Sequence, residues 1–342
     1  MRPTAMRPAD ALDRIVYLLD RVLAETTKVR AFARARDVVV EVGDDEIERL
    51  HAAGKLTELA GIGPTTAKVI TEALDGGVPS YLAKLEGETV LPVGDGAAVR
   101  AALRGDCHTH STWSDGGAEI EKMARTAIAL GHEYMVLTDH SPRLTVAHGL
   151  NAERLVAQLD EVAALNERLA PFRILTGIEV DILEDGTLDQ TDELLARLDV
   201  VVASVHSKLR MERADMTRRM VTAVANPHVD ILGHCTGRKL VGRGRPPSTF
   251  DAEYVFAACA RFDTALEINC RPERQDPPDE LVELALHWDL RFAVDTDAHA
   301  PGQMEWQVYG CDKAARHGID AERIVNTMAA DDLVTWAASH TA

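Results

Sequence analysis

The sequence predicts an α/β chain: a small all-α domain followed by a parallel-stranded α/β barrel. Three observations predict it. Ala9, Leu12, Ile15, Val16, Leu19 and Leu23 recur at helical spacing near the N-terminus. From Asp106 onward, short β-branched apolar runs alternate with longer helical segments, the pattern of a parallel sheet. These runs number seven, enough to suggest closure into a barrel.

In chain order, residues 8–36 read as helices and residues 44–53 as one more short helix. The stretch from Leu56 to Ile70 reads as a helix, a tight Gly61-Ile62-Gly63 turn and a second helix opened by Pro64. Residues 1–85 would form the helical domain, 86–104 a linker with several Gly and a Pro, and 105–342 the barrel. Its strands would be GDCHTHS, YMVLTDH, FRILTGIEVDI, DVVVASVHS, VDILGHC, TALEINC and RFAVDTDAH.

The 342 residues suit two domains, and 46% hydrophobic with only 4% aromatic residues implies cores of aliphatic side chains. A net charge of −18 argues at first against a nucleic-acid partner. Through Arg104, however, there are 14 basic and 16 acidic residues, so the acidity belongs to the barrel, where divalent metals would offset part of it. No signal peptide or membrane-spanning apolar run is visible. Cys107, Cys235, Cys259, Cys270 and Cys311 form no CxxC pair, so the expectation is a cytoplasmic chain with reduced thiols scattered in its core.

Histidines and carboxylates fall at strand ends. His108 and His110 close the first run, Asp139 and His140 the second, Glu179 the third, His206 the fourth, His234 the fifth, and Asp297 with His299 the seventh. The C-terminal ends of barrel strands converge on one face, so residues distant in sequence would meet there. One histidine is usually structural; this many at equivalent ends, two pairs of them at i, i+2 spacing, point to metal ligation. Mixed imidazole and carboxylate donors suit Zn, Mn or Fe better than Mg alone, and more than four donors exceed a single tetrahedral site. Closely spaced metals suit phosphoryl chemistry, by attack of a metal-activated hydroxide on phosphorus. No GxSxG or reactive-cysteine motif competes.

The motifs GDCHTHSTWSDG, VLTDHS, GIEVDIL, ASVHS, ILGHCTGR, ALEINC and DTDAH together resemble those of the PHP (polymerase and histidinol phosphatase) superfamily, in particular its branch attached to bacterial family X DNA polymerases. The resemblance covers about residues 105–335 and implies a distorted (β/α)7 barrel with a trinuclear metal centre. It implies His108, His110, Asp115, His140, Glu179, His206, His234, Asp297 and His299 as ligands, with Glu179 bridging two metals. Asp115 is similar to the polymerase-linked variant, and Cys235 stands where the family usually has Pro. Arg238, Lys208 and Arg210, beyond strand ends, are candidates for phosphate contacts, the alternative being surface ion pairs; His148 is a candidate to reach substrate or an exposed bystander.

LAGIGPTTAKVI resembles a helix-hairpin-helix. Gly61, Ile62 and Gly63 would offer amides beside a helix N-terminus, with Thr65 and Lys68 adjacent, to hold a DNA phosphate without reading sequence. The alternative is a plain packing turn. Family X relatives with lyase activity carry a Schiff-base lysine where this chain has Val69, so lyase activity is not expected. The chain resembles a family X polymerase without its nucleotidyl-transfer domain. The expected function is a metal-dependent phosphoesterase of DNA repair, of 3′–5′ exonuclease, 3′-phosphatase or abasic-site endonuclease type. The alternatives are a small-molecule phosphatase of the histidinol-phosphate type and a non-catalytic DNA-binding protein.

Overall fold

The computed structural model describes residues 6–91 and 94–341. The chain divides into two compact units, Met1–Pro92 and Val93–Ala342.

Among the described residues the first unit contains five α-helices: α1 (Pro8–Arg21), α2 (Thr26–Val42), α3 (Asp44–Ala52), α4 (Pro64–Leu74) and α5 (Ser80–Glu88), with a 3-10 turn at Leu56–Glu58. Their apolar stripes meet in one core of Leu12, Ile15, Leu19, Phe32, Ile70 and Leu82, all nearly or fully buried. The Gly61 turn lies against α2: φ is +104°, and a Cβ there would come within 2.9 Å of Arg34 Nε. Glycine meets both demands.

Part of the segment read as a linker, 86–104, is helical among the described residues. Glu86 and Glu88 belong to α5, and α6 (Ala97–Ala102) packs inside the second unit. The Gly96 amide there donates to Asp312 Oδ1 at 2.8 Å.

The second unit alternates strand and helix: β1 (Gly105–Thr109), α7 (Ile120–Ala129), β2 (Tyr134–Leu137), α8 (Ala152–Leu169), β3 (Arg173–Asp181), α9 (Asp192–Leu195), β4 (Val200–Ser204), α10 (Arg213–Val224), β5 (Ile231–Leu232), α11 (Ala252–Phe262), β6 (Ala265–Asn269), α12 (Asp279–His287), β7 (Phe292–Asp295), α13 (Gln307–Arg316) and α14 (Ala330–Ala338). All seven strands are parallel in the order β1-β2-β3-β4-β5-β6-β7. Helices on the outside bury the strands on both faces, which is why each reads as a continuous apolar run.

The barrel is uneven in two places. Strand β3 pairs with β2 over Arg173–Thr176 and with β4 from Gly177 onward. A Cβ on Gly177 would meet Val136 Cγ1 and the Val200 carbonyl at 2.7 Å, so the hand-over needs glycine. Between β7 and β1, closure comes from a Thr109–Ala298 bridge, from the Cys107 amide donating to Asp295 Oδ1 at 2.9 Å, from the Thr296 amide donating to Asp106 at 3.2 Å, and from the buried Asn326, whose Nδ2 reaches the Gly105 carbonyl at 3.4 Å. Asn326 accepts from the Val294 amide at 2.7 Å and donates to Asp295 Oδ1 at 2.7 Å.

Leu175, Val200, Val202, Ile231, Ala265 and Ala293 form an apolar layer with Leu333 and Trp336 of α14. Two and four residues further along their strands, on the same faces, stand Glu267 and Glu179. All five cysteines are free and buried. No helix among the described residues is long and apolar enough to cross a membrane.

Candidate metal centre

The ends of β1, β2, β3, β4, β5 and β7 deliver side chains to one place, and Glu179 lies at the middle. Its carboxylate is 3.3 Å from His108 Nε2, 2.9 Å from His140 Nδ1, 3.1 Å from His206 Nε2 and 2.9 Å from His234 Nε2. His110 Nε2 lies 3.6 Å from it and 3.4 Å from Asp297 Oδ1. Asp115 reaches in from the loop after β1, 3.5 Å from His140 Nε2 and 3.3 Å from His299 Nε2. The nine positions expected from the strand-end pattern and the resemblance therefore meet in one cluster.

Donor atoms fall within 4.8 Å of one another in three overlapping groups: His110, Asp115, His140 and His299; His108, His110 and Glu179; His140, Glu179 and His206. Their hydrogen bonding tests whether a cation fits. His108 Nε2, both ring nitrogens of His110 and of His206, His140 Nδ1, His234 Nδ1 and Glu179 Oε2 are buried without a hydrogen-bond partner. Buried polar atoms are rarely left so. Convergent imidazole and carboxylate atoms without partners are what a divalent cation satisfies, and the donor set fits one.

The carboxylates and imidazoles of the cluster shift one another. Burial alone would raise Glu179, but His206, His108 and His140 hold it well below the usual carboxylate range. Burial would lower His206, yet Glu179 and Asp181 lift it to about 9. Burial, then His299 and His140, pushes His110 well down. Asp297 stays ionised against burial because of Arg271 and His110.

The shell behind the cluster was largely missed by the sequence reading. Glu267 of β6, fully buried, lies 2.6 Å from His108 Nδ1, accepts the His234 amide and takes Asn269 Nδ2 at 3.2 Å. It fixes the ring of one ligand and the backbone of another. The available signal was an acid between Leu266 and Ile268 in an apolar run, a costly placement without a partner. Asp181 lies 3.3 Å from His206 Nδ1. Asp139 accepts from the Ser111 amide and hydroxyl, from Ser114 Oγ and from Gln158 Nε2, so it pins the Asp115 loop instead of joining the cluster.

The cationic candidates change. Arg238 donates Nε to the Arg274 carbonyl at 3.0 Å and Nη2 to the Gln275 carbonyl. Its guanidinium is spent bracing the loop after β6. Lys208, Arg210 and His148 are exposed. The cations at the cluster are two the sequence reading passed over. Arg271 Nη1 lies 3.5 Å from Asp297 Oδ1 and 2.9 Å from His299 Nδ1, and Arg274 Nε lies 3.5 Å from Asp297 Oδ2. Cys235 packs in the core, its thiol pushed up by burial and then by Asp276.

In the first unit, the hairpin uses two of its three turn amides internally. Ile62 N–H donates to the Leu59 carbonyl at 3.1 Å, and Gly63 N–H to Thr66 Oγ1 at 2.9 Å. Ile62 is buried, whereas Thr65 and Lys68 are exposed, Lys68 Nζ 3.6 Å from Glu72. The first-turn amides of Thr65 and Thr66 replace those of Ile62 and Gly63 as the donors of the helix start. Val69 is buried, with no amine at that position.

The family model of the PHP domain matches residues 106–242. The DNA polymerase/3′-5′ exonuclease PolX of Bacillus subtilis (strain 168) is 40% identical over 231 residues, 68% of this chain and 40% of that protein. A protein named a probable phosphatase in Thermoanaerobacter sp. (strain X514) is 31% identical over 206 residues, 57% of this chain and 78% of that protein. This chain belongs to the PHP domain family. It spans less than half the length of the Bacillus protein. A solved histidinol phosphate phosphatase from Lactococcus lactis, complexed with zinc, L-histidinol and phosphate, overlays on 64% of this chain and 95% of its own with a TM-score of 0.45 and 18% identity. The PHP barrel and its metal-competent cluster rest on the chain's own strands and side chains.

Proposed function

We propose that this protein is a metal-dependent hydrolase of phosphate esters, acting on DNA ends or phosphodiesters. The observation that carries the reading is the cluster around Glu179, with its unpartnered imidazole and carboxylate atoms. The nine side chains would hold three divalent cations (Zn, Mn or Fe), with Glu179 shared between groups. When bound, such ions supply an activated water and neutralise charge developing on phosphate oxygens.

The chain's own residues do the rest. Glu267 holds the ring of His108, and Asp181 accepts the His206 amide at 3.0 Å. Arg271 and Arg274 place positive charge beside Asp297, where a phosphate oxygen would be attracted. The similarity to a protein named for 3′–5′ exonuclease activity supports DNA as substrate, as does the hairpin with its exposed Thr65 and Lys68.

The second reading, a small-molecule phosphomonoesterase, is favoured by the name of the Thermoanaerobacter relative. The test loads the full chain with Mn²⁺ or Zn²⁺. It then offers single-stranded DNA, DNA with a 3′-phosphate, an abasic duplex and L-histidinol phosphate. Cleavage or dephosphorylation of DNA is expected. Turnover of L-histidinol phosphate alone favours the second reading, and no turnover of any substrate at confirmed metal occupancy removes both.

A further inference from the structure

The barrel unit is strongly acidic, yet one segment of it carries no carboxylate from Thr236 to Phe250 and four cations: Arg238, Lys239, Arg243 and Arg245. These residues form a hairpin. Lys239 and Arg245 make an antiparallel bridge, exchanging amide–carbonyl hydrogen bonds of 2.9 and 2.8 Å. Gly242 at φ +69° and Gly244 at φ +61° turn the tip. At this tip Leu240 is 54% and Val241 58% exposed, an unusual pairing of aliphatic side chains with flanking cations.

The hairpin is tied to the metal centre. Its Leu240 amide donates to the Glu273 carbonyl at 2.7 Å, and Arg238 holds the carbonyls of Arg274 and Gln275. Arg274 in turn faces Asp297. Six cations thus run from the cluster outward: Arg271, Arg274, Arg238, Arg245, Lys239 and Arg243. Of the nearby acids, Glu273 pairs with Arg271, and Asp276 accepts from the Thr236 hydroxyl. The cations feel one another: burial first, then Arg274 and Arg245, lowers Lys239, and burial, then Arg274, lowers Arg245. Mutual repulsion of this kind is relieved by an anion with regularly spaced charges.

We propose that the 238–245 hairpin docks the sugar-phosphate backbone of a single nucleic-acid strand whose scissile phosphate lies at the Glu179 cluster. Lys239 and Arg243, both exposed, contact successive phosphates, and Arg245, its Nε held by the Gly237 carbonyl at 2.6 Å, adds positive charge behind them; Leu240 and Val241 give apolar contact to the unstacked bases. This rests on the phosphoesterase reading and narrows its substrate to a strand rather than a small ester. A small phosphomonoester has one phosphate and cannot occupy both the cluster and the hairpin. Polyanion binding through such contacts is salt-sensitive and tolerant of sequence.

The experiment compares the metal-loaded full chain with its Lys239→Ala/Arg243→Ala variant, using a thymidine dinucleotide and a thymidine strand of about twelve residues. KM is measured between about 50 and about 200 mM salt, and metal content is checked alongside. In the wild type the longer strand has the lower KM. In the variant its KM rises roughly tenfold and the slope of log KM against log salt falls by about 1.4, two phosphate contacts of a single strand. The advantage over the dinucleotide then shrinks. Should the double variant fail to fold, Arg243→Ala at the exposed tip carries the same test with a slope change of about 0.7. An unchanged KM and slope overturns the hairpin's role while leaving the phosphoesterase reading intact. A wild type that hydrolyses neither nucleotide substrate but turns over L-histidinol phosphate overturns both the DNA reading and the hairpin proposal. Binding to phosphatidylserine vesicles without DNA binding identifies the hairpin as a lipid contact and overturns it equally.

Discussion

At the scale of single residues, Glu267 and His132 make the sharpest claims. Glu267 holds His108 by its Nδ1 and so directs the other ring nitrogen, Nε2, toward Glu179. Glu267→Gln keeps the volume but removes the charge that fixes this ring. Metal affinity should fall about 10–100-fold with the fold retained, read by titration calorimetry and elemental analysis. Unchanged affinity would make Glu267 a packing residue only. His132 lies at the corner between α7 and β2, buried, with Arg100 Nη2 3.4 Å from its Nε2. Burial first, then Arg100, depresses its imidazole to about 3. The unfolded chain takes up that proton near pH 6.5. Between these values the unfolded state binds more protons, so stability falls as the pH drops from about 6.5 toward about 3. Across that window the wild type should lose up to about 1.4 kcal/mol per pH unit more than His132→Gln, measured from urea midpoints. Parallel pH profiles for the two proteins would refute it.

At the scale of elements, the seam between β7 and β1 has one backbone bridge and is closed otherwise by buried side chains, Asp106, Asp295 and Asn326. Asn326→Ala strands the buried Val294 amide and takes from Asp295 Oδ1 one of its two donors, the Cys107 amide remaining. It should cost about 1–3 kcal/mol in chemical denaturation, the penalty of one orphaned buried group. Asp297 follows β7 directly, so metal affinity should fall in the same variant. The strands themselves were legible as seven apolar runs, because parallel strands covered on both faces need no polar alternation. Strand β5 is only Ile231–Leu232, yet it was legible because the run ends in the Gly-His pair that leads to His234. The ligands were legible because two-residue spacing puts His108 with His110 and Asp297 with His299 on shared faces. The run of β6 was legible as a strand, but the role of Glu267 in it was not: β6 carries no imidazole, and the partner of Glu267 lies 159 residues away. Residues 86–104 misled for a different reason. Their Gly and Pro content looks like a linker, while packing against α13 holds Ala97–Ala102 as helix.

For the whole molecule, the metals belong to the stability of the second unit. A buried group of imidazoles and carboxylates without a cation leaves orphaned donors and repulsion, so metal removal should lower the melting temperature as well as abolish turnover. With metal at 100 times its dissociation constant the expected loss is about 2.7 kcal/mol, which for a unit of this size is a fall of roughly 5–10 °C by calorimetry. Identical melting with and without chelator would detach the cluster from metal. The sequence by itself determined a helical first domain, seven parallel strands and a set of metal-capable side chains at their ends, because hydrophobic periodicity and side-chain alternation are local properties of the chain. Only the tertiary structure decided which groups stand behind those ligands. It drew Arg238 into the loop after β6, brought Arg271 and Arg274 to Asp297, set Glu267 beneath His108 and raised a basic hairpin beside them. Such partnerships depend on the distances that barrel closure creates between strands far apart in sequence, and no local pattern encodes those.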